Sequence, residues 1–222
     1  MIRLENLTKI FHTGGQRKLV ADNINMIFPT GVSVALLGRN GAGKSTLLNM
    51  IAGSVDPSAG RIVSTGTISW VVGFSGSFHP DMTGAQNARF VARIYGVDTN
   101  EMLDFVADFA ELGAHFHQPL RSYSSGMRSR LAFGVSMAVP FDTYLVDEVT
   151  SVGDAAFRAK SNQVFQARMD KAGAVVVSHS MEQVRKMCTA GAVLEAGKLT
   201  YYEDLEEGIA HHNRNMQLPP PS

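Results

Sequence analysis

A lysine and a serine follow a glycine-rich stretch in the first quarter of the chain, and together they could bind phosphate. Residues 38–46 read Gly-Arg-Asn-Gly-Ala-Gly-Lys-Ser-Thr. Closely spaced glycines let backbone N–H groups converge on an anion, and the N-terminus of a following helix adds partial positive charge. Lys44 would reach the β- and γ-phosphates of a nucleoside triphosphate, and the Ser45 hydroxyl would bind Mg²⁺. The residues predicted to contact the nucleotide here are Gly38, Arg39, Asn40, Gly41, Ala42, Gly43, Lys44, Ser45 and Thr46.

An acidic pair, Asp147 and Glu148, directly follows the apolar stretch Tyr144-Leu145-Val146. A carboxylate at the end of a parallel strand beside a phosphate loop can bind Mg²⁺, directly or through water, and we predict this for Asp147. Glu148 is predicted to be the general base that activates the attacking water, which contributes roughly 10²–10⁴ in rate. A solvated acidic turn is the alternative interpretation, and the lysine loop upstream makes it the weaker one.

The elements that must position these residues alternate between strands and helices. Val32–Leu37 is an apolar run that ends at glycine, typical of a buried parallel strand, and Lys44–Ala52 carries a helical apolar face. The other predicted strands are 2–7, 19–28, 60–74, 143–146 and 174–177, and the other predicted helical stretches are 83–138, 155–171 and 181–188. The pattern predicts an α/β fold with a helical insertion at about residues 80–140.

The overall composition excludes several classes of protein. The 222 residues include 20 Lys+Arg, 20 Asp+Glu and one cysteine. A protein that coats nucleic acid needs a basic excess, so nucleic acid is not an expected partner. One cysteine cannot form an internal disulfide or a multi-cysteine zinc site, which suits a reducing compartment. Because no apolar stretch approaches the roughly 20 residues of a membrane helix, we expect a cytoplasmic protein.

A third motif narrows the prediction to one family. Residues 123–131 read Tyr-Ser-Ser-Gly-Met-Arg-Ser-Arg-Leu, which resembles the signature motif of ABC-type ATPases. Ser124, Ser125 and Gly126 would offer hydroxyl and backbone N–H groups at a helix start, another anion-binding arrangement. With the lysine loop and the acidic strand, the chain is identified as a member of these ATPases. The resemblance implies a P-loop NTPase domain over residues 1–222, with an antiparallel β subdomain and a helical signature subdomain.

The resemblance also implies functions for isolated residues. Phe11 lies where the family places the aromatic ring that stacks on adenine, although strand packing is the alternative. His179 matches the switch histidine that contacts the γ-phosphate. The alternative is a histidine at the end of a strand whose hydrogen bonds are satisfied within the protein. Residues 151–154 occupy the place of the loop that contacts the second subunit, so Asp154 is expected near the nucleotide.

Two positions depart from the family pattern. His79 stands where most members carry glutamine, and the signature reads Tyr-Ser-Ser-Gly-Met in place of the common Leu-Ser-Gly-Gly-Gln. Neutral imidazole is a poor ligand for the hard Mg²⁺ ion. We therefore expect His79 at the nucleotide without a direct metal contact.

The phrases flanking the motifs resemble one branch of the family most closely. Residues 38–48, 68–70, 123–131 and 146–154 look like those of ATP-binding subunits of Gram-negative capsular polysaccharide exporters. ATPases that export O-antigen or teichoic acid are similar too and remain an alternative. A soluble ABC ATPase that acts on ribosomes or DNA is less favoured, because such proteins typically carry two ATPase cores or a long coiled-coil insertion.

The resemblance implies cofactors, partners and a location. The cofactors are ATP and Mg²⁺. One loop and one signature imply a second copy of the chain, in an ATP-sandwich dimer with two shared sites. The chain would act on a separate polytopic permease, docking at about residues 74–93, and through it on a periplasmic adaptor and an outer-membrane channel. It would lie at the cytoplasmic face of the bacterial inner membrane.

Other histidines and the single cysteine are expected to have structural and not functional roles. His115 and His117 have strand-like spacing but no nearby third ligand, so a surface loop is favoured over a metal site. His211 and His212 are expected to be solvated at the end of a last helix. Cys188 follows an apolar helix face and is expected to be a small buried hydrophobe.

Overall fold

Two compact units make up the computed structural model, which describes residues 1–73, 76, 78–148 and 155–217. The first unit comprises residues 1–71, 141–149 and 171–222, and the second comprises 72–140 and 150–170. The predicted α/β class, with an antiparallel sheet and a helical part, is confirmed. That residues 1–222 work as one ATPase domain stays a prediction.

The described residues form nine strands and seven α-helices. They are β1 (Ile2–Thr13), β2 (Gln16–Phe28), β3 (Ser33–Leu37), α1 (Lys44–Ile51), β4 (Ala59–Ser64), β5 (Ile68–Val71), α2 (Gly84–Tyr95), α3 (Thr99–Ala110), α4 (Ser125–Ala138), β6 (Thr143–Asp147), α5 (Ala155–Met169), β7 (Gly173–Val177), α6 (Met181–Met187), β8 (Ala190–Glu195), β9 (Lys198–Tyr202) and α7 (Leu205–Gln217). Two short 3₁₀ turns, Gly113–His117 and Leu120–Ser122, lie between α3 and α4. No helix in these described ranges is long and apolar enough to cross a membrane.

A largely parallel sheet of order β5-β6-β7-β3-β8-β9 forms the centre of the first unit. Only the β8–β9 pair is antiparallel. β3 has a neighbour on each side, and its residues 34–37 are all buried. A strand covered on both faces must be apolar throughout, which explains the unbroken Val-Ala-Leu-Leu run. The carboxyl ends of β6, β7 and β3 therefore lie side by side at one edge.

The first unit also contains an antiparallel sheet of order β2-β1-β4. The Gly14-Gly15 turn pairs Thr13 with Gln16, and both glycines have positive φ, as a two-residue hairpin turn requires. The inner face of this sheet packs with α1 and the parallel sheet into one apolar core that includes Leu4, Leu48 and Leu145.

The stretch 60–74, predicted as further strand, contains two strands that belong to different sheets. Ala59–Ser64 pairs with β1 in the antiparallel sheet, whereas Ile68–Val71 pairs with β6 in the parallel sheet. Thr67 separates them, and its backbone N–H and hydroxyl both bind the Asp142 carboxylate, at 2.8 and 2.9 Å. Apolar content alone could not show that the chain changes sheets at this point.

The second unit is helical, as predicted for residues 83–138, and α2 and α3 have well-formed starts. Thr83 and Gln86 form a capping box on α2, and Asp98 caps α3. A group of aromatic rings packs between α3, α4 and α5, centred on Phe109, which lies 5.6 Å from Phe133 and 5.2 Å from Phe157 by ring centroids. Aromatic pairs at such distances add stability beyond their buried area.

The single cysteine should be chemically inert in the folded protein. Cys188 is buried, as predicted, and burial raises the pKa of its thiol to about 12. Because the thiolate is the reactive form, we expect almost no labelling of the native chain by a thiol reagent at pH 8. One thiol per chain should react once the protein is unfolded in guanidinium chloride. Rapid labelling of the native chain would contradict this placement.

Candidate nucleotide-binding site

The glycine-rich loop connects the carboxyl end of β3 to the start of α1. Gly43 immediately precedes the helix and has a φ of 104°, a conformation that side chains disfavour. A Cβ atom added there would lie 2.1 Å from Cγ1 of Val20 on β2. Only glycine can therefore occupy this position, since the loop passes directly against β2.

Lys44 folds back onto the loop that precedes it. Its Nζ donates hydrogen bonds to the carbonyl oxygens of Gly38, at 2.7 Å, and Arg39, at 3.0 Å. Burial lowers the pKa of Lys44, while the carboxylates of Asp147 and Glu148 act in the opposite direction. The ammonium group has thus already lost part of its water, so a phosphate can replace the carbonyls with little further desolvation.

The loop borders a cavity of about 330 Å³ at the edge where the parallel strands end. Most residues predicted at the nucleotide line it together. The lining residues are Phe11, Lys18, Val20, Asn40, Gly41, Gly43, Lys44, Ser45, Thr46, Asp147, Glu148, Val177 and His179. The strand order explains this convergence, because β6 pairs with β7 and β7 pairs with β3.

Glu148 and His179 form a direct pair in the cavity. Nε2 of His179 lies 2.9 Å from Oε1 of Glu148, and each side chain is more than half exposed. The Glu148 N–H donates to the Val177 carbonyl at 2.8 Å, and its φ of 50° lies in the left-handed region. This conformation is uncommon for a residue other than glycine. It occurs at the first residue after β6.

Ser45 and Asp147 have donors that suit Mg²⁺ carried in by a nucleotide. Both residues line the cavity. Ser45 offers a hydroxyl oxygen and Asp147 offers a carboxylate oxygen. Mg²⁺ commonly binds through one or two protein oxygens, substrate phosphates and water. Within the described parts of the chain, no group of three or more His, Cys, Asp or Glu side chains could hold a metal ion.

Phe11 lines the same cavity with its ring partly open to solvent, 37% exposed. The Lys9 ammonium lies 4.8 Å from the ring centroid on one side. Lys18 is paired with Phe11 across the β1–β2 hairpin and was missed by the sequence analysis. Counting outwards from the Gly14-Gly15 turn would have placed the two residues opposite each other.

Three of the predicted loop residues do not line the cavity. Arg39 and Ala42 line a neighbouring cavity of about 650 Å³, with Glu195 and Gly197. Gly38 contributes its carbonyl to Lys44. These residues shape the loop from outside the nucleotide pocket.

The signature residues belong to the second unit. The Ser124 hydroxyl accepts a hydrogen bond from the Met127 N–H at 3.2 Å and caps α4. Ser124, Ser125 and Gly126 are all exposed, so the N-terminus of α4 is accessible to an anion. Tyr123 is buried beside them and donates to the His115 carbonyl at 2.6 Å, which anchors the approach to the helix.

His79 also belongs to the second unit and is exposed. Its backbone N–H donates to Oδ1 of Asn87 at 2.9 Å, and its Nδ1 accepts from the Asp81 N–H at 3.3 Å. The second contact uses Nδ1 as an acceptor, which leaves Nε2 as the protonated donor in the neutral ring. Asp154 lies outside the described residues.

The prediction that His211 and His212 are solvated is wrong. His212 is buried, and Nδ1 of His211 forms a hydrogen bond with the Tyr202 hydroxyl, at 2.8 Å. The last helix packs on the parallel sheet, so both rings lie in protein contacts. His115 and His117 are exposed in a 3₁₀ turn, as expected of a surface segment.

Comparisons with known proteins agree with the motifs. A family model described as "ABC transporter" matches residues 21–151. The polysialic acid transport ATP-binding protein KpsT of Escherichia coli is 46% identical, over 97% of this chain and 100% of KpsT. The capsule polysaccharide export ATP-binding protein CtrD of Neisseria meningitidis serogroup B is 41% identical, over 96% of this chain and 99% of CtrD. The teichoic acids export ATP-binding protein TagH of Staphylococcus haemolyticus is less similar, at 37% over 88% of this chain and 75% of TagH.

The fold is shared with solved ATP-binding cassettes. One of them, in a dimeric post-hydrolysis state bound to ADP and Pi, superimposes with a TM-score of 0.75. The match covers 92% of this chain and 99% of that chain, at 22% identity. At that identity the likeness confirms the fold alone.

Replacing the carboxylate of Glu148 tests the chemistry of the cavity. Glu148→Gln should keep ATP affinity within about threefold but lower turnover by roughly 10²–10⁴, because the amide cannot accept a proton. The measurements are a fluorescent-nucleotide titration and a phosphate-release assay. Glu207→Gln, an exposed change on α7, is the matched control and should turn over normally. Wild-type turnover by Glu148→Gln would remove the assignment of Glu148 as the base.

Proposed function

The chain belongs to the ABC transporter family, and from that premise we propose that it is the ATP-hydrolysing motor of a bacterial exporter of lipid-linked capsular polysaccharide. As an ABC-type ATPase, it binds nucleotide in the cavity beside Lys44. The observation that carries the proposal is the convergence of Lys44, Ser45, Asp147, Glu148 and His179 around one cavity. Residues 1–222 would form a single ATPase domain, with its helical insertion at about residues 80–140.

The side chains divide the work of hydrolysis. Lys44 binds the β- and γ-phosphates, and Phe11 stacks on the adenine ring. Glu148 takes a proton from the attacking water, while His179, 2.9 Å from it, orients the carboxylate and contacts the γ-phosphate. Ser45 and Asp147 would hold Mg²⁺, which neutralises phosphate charge when it is bound. His79 and Asp154 are the other residues proposed to contact the nucleotide.

A second copy of the chain would complete each site. The described cavity is lined entirely by residues of the first unit, whereas the exposed signature residues Ser124 and Gly126 belong to the second. In a head-to-tail pair, the signature of one copy caps the γ-phosphate held by Lys44 of the other. ATP then joins the two copies, and hydrolysis releases them, which is a ligand-driven population shift.

The transported substrate is inferred from the relatives. KpsT and CtrD match this chain over nearly their full lengths and carry polysaccharide transport in their names. The lower identity and partial coverage of TagH make teichoic acid export the weaker alternative. An adaptor and an outer-membrane channel would complete the route across the periplasm, with the chain on the cytoplasmic face of the inner membrane.

Helix α2 offers a surface for a permease. Phe90 and Ile94 are 54% and 60% exposed, and their four-residue spacing puts them on one face. Arg89 and Arg93 are exposed on the same helix. Large exposed apolar residues grouped in this way are typical of protein-binding surfaces, and this face lies at the end of the docking segment expected at about residues 74–93.

Removing this apolar face should uncouple the motor from its permease. We expect Phe90→Ser/Ile94→Ser to hydrolyse ATP normally in solution but to bind the permease about a hundredfold or more weakly, since each buried apolar side chain contributes about 1.5–3 kcal/mol. The weaker binding is measured by how much permease co-purifies with the chain from detergent-solubilised membranes. Ile27→Ser changes a large apolar residue on β2 that is 48% exposed, and this variant should co-purify with the permease normally. Equal recovery of the double variant would exclude α2 as the docking surface.

Export itself can be tested in a strain that lacks the gene for this chain. We expect loss of surface capsular glycan and accumulation of lipid-linked glycan inside the cell. A plasmid carrying the wild-type gene should restore export, whereas one carrying Lys44→Ala should not, because phosphate binding is lost. Normal capsule in the deletion strain, with a different glycan accumulating, would overturn the proposed substrate.

A further inference from the structure

Arg39, the second residue of the phosphate loop, is connected to the last helix of the chain. Its Nη2 donates a hydrogen bond to the backbone carbonyl of Asn215 in the final turn of α7. Its Nε lies 3.4 Å from Oε1 of Glu195, at the end of β8. The side chains of Arg39 and Glu195 are 19% and 23% exposed, so water screens their attraction less than it would at the surface.

The backbone of the same residue supports the loop. The Arg39 carbonyl accepts the Lys44 ammonium at 3.0 Å and the Ala42 N–H at 3.1 Å. A shift of Arg39 would therefore move the loop and the oxygen that holds the lysine. When a phosphate takes Lys44 away from that oxygen, the contacts of the Arg39 side chain remain to hold the loop in place.

The position of α7 is fixed by a close contact with the sheet. Gly208 on the helix faces Gly191 on β8, and a Cβ on Gly208 would lie 3.3 Å from the Gly191 Cα. Leu205, Ile209 and His212 are buried on the same face of the helix. Because β8 is the neighbour of β3, a helix that packs this closely on β8 brings its last turn to the loop that follows β3.

Side-chain contacts hold the final turn in that position. The Tyr202 hydroxyl lies 2.8 Å from Nδ1 of His211, and the other ring nitrogen lies 3.2 Å from Nδ2 of Asn215. A chain of polar contacts thus runs from β9 through α7 to the phosphate loop. These contacts give the Asn215 carbonyl a defined place beside Arg39.

The pKa of His212 on α7 depends in part on charged residues of the phosphate loop. Burial lowers the pKa of His212, and the Lys44 charge acts in the same direction. Arg39 and His211 lower it further, while Glu195 raises it. These effects favour the neutral form of His212 beside the charges of Lys44 and Arg39.

We infer that α7 is a positioning element of the nucleotide site: Asn215 and Glu195 hold Arg39, and Arg39 holds the phosphate loop in its binding shape. The inference rests on the proposed ATPase activity. Arg39 acts through the backbone of the loop, so loss of its contacts weakens ATP binding. Chemistry at saturating ATP is preserved, because Glu148 and His179 lie on other elements.

Two changes remove these contacts without altering the loop sequence. One is Glu195→Gln, and the other is a chain that ends at His212 and lacks the Asn215 carbonyl. For each variant we expect the KM for ATP to rise roughly tenfold, which is the size of effect expected when a charged contact is lost. The kcat should stay within about twofold of the wild-type value, and the Tm should stay within about 4 °C of it. The controls are Glu207→Gln and a chain that ends at Gln217, both of which should match wild type.

A combined variant tests whether the contacts act through one residue. Arg39→Ala should raise the KM as well, and adding Glu195→Gln to it should raise the KM no further, because coupled changes are not additive. Arg39→Lys should recover part of the affinity. An unchanged KM in both Glu195→Gln and the shortened chain, or a lower kcat and Tm without a change in KM, would overturn the inference and leave α7 a purely structural helix. A wild-type chain that neither binds nor hydrolyses ATP would overturn the proposed function itself.

Discussion

The contact of Lys44 with the carbonyls of its own loop is the interaction on which the rest of the structure depends. A lysine that is partly buried must be held by acceptors, and the Gly38 and Arg39 carbonyls supply them. The loop can present those carbonyls only because Gly43 lets it pass against Val20. The order of strands β6, β7 and β3 then brings Asp147 and His179 to the same edge.

The sequence could predict those features that depend on neighbours along the chain. The buried run of β3, the glycine loop and the helix that follows are all local patterns, and the sequence alone predicts each of them. The pocket residues Phe11, Asp147 and His179 were also predicted, by resemblance to a family or by their place at strand ends. That they line one cavity follows from the sheet order, which no local pattern contains.

The features that were missed depend on contacts between distant segments. Ile68–Val71 pairs with β6 and not with the sheet that contains β4, and the Asp142 carboxylate that binds Thr67, just before this strand, is 75 residues away. His212 is polar in type and lies in a polar stretch, yet the close approach of Gly208 to Gly191 buries it. The link from Arg39 to Asn215 spans 176 positions, so the sequence gives no spacing by which to recognise it.

In the proposed pair, one copy of the chain supplies the phosphate loop of each working site and the other copy supplies the signature. Mixed pairs, purified through two different tags, test it with Lys44→Ala in one copy and Gly126→Asp in the other. A Cβ atom added at Gly126 has only Oγ of Ser124 within 4 Å, at 3.9 Å, so the variant should fold. Pairs of either variant alone should be inactive, whereas the mixed pair keeps one intact site and should hydrolyse ATP. A mixed pair as inactive as both parents would contradict the shared site.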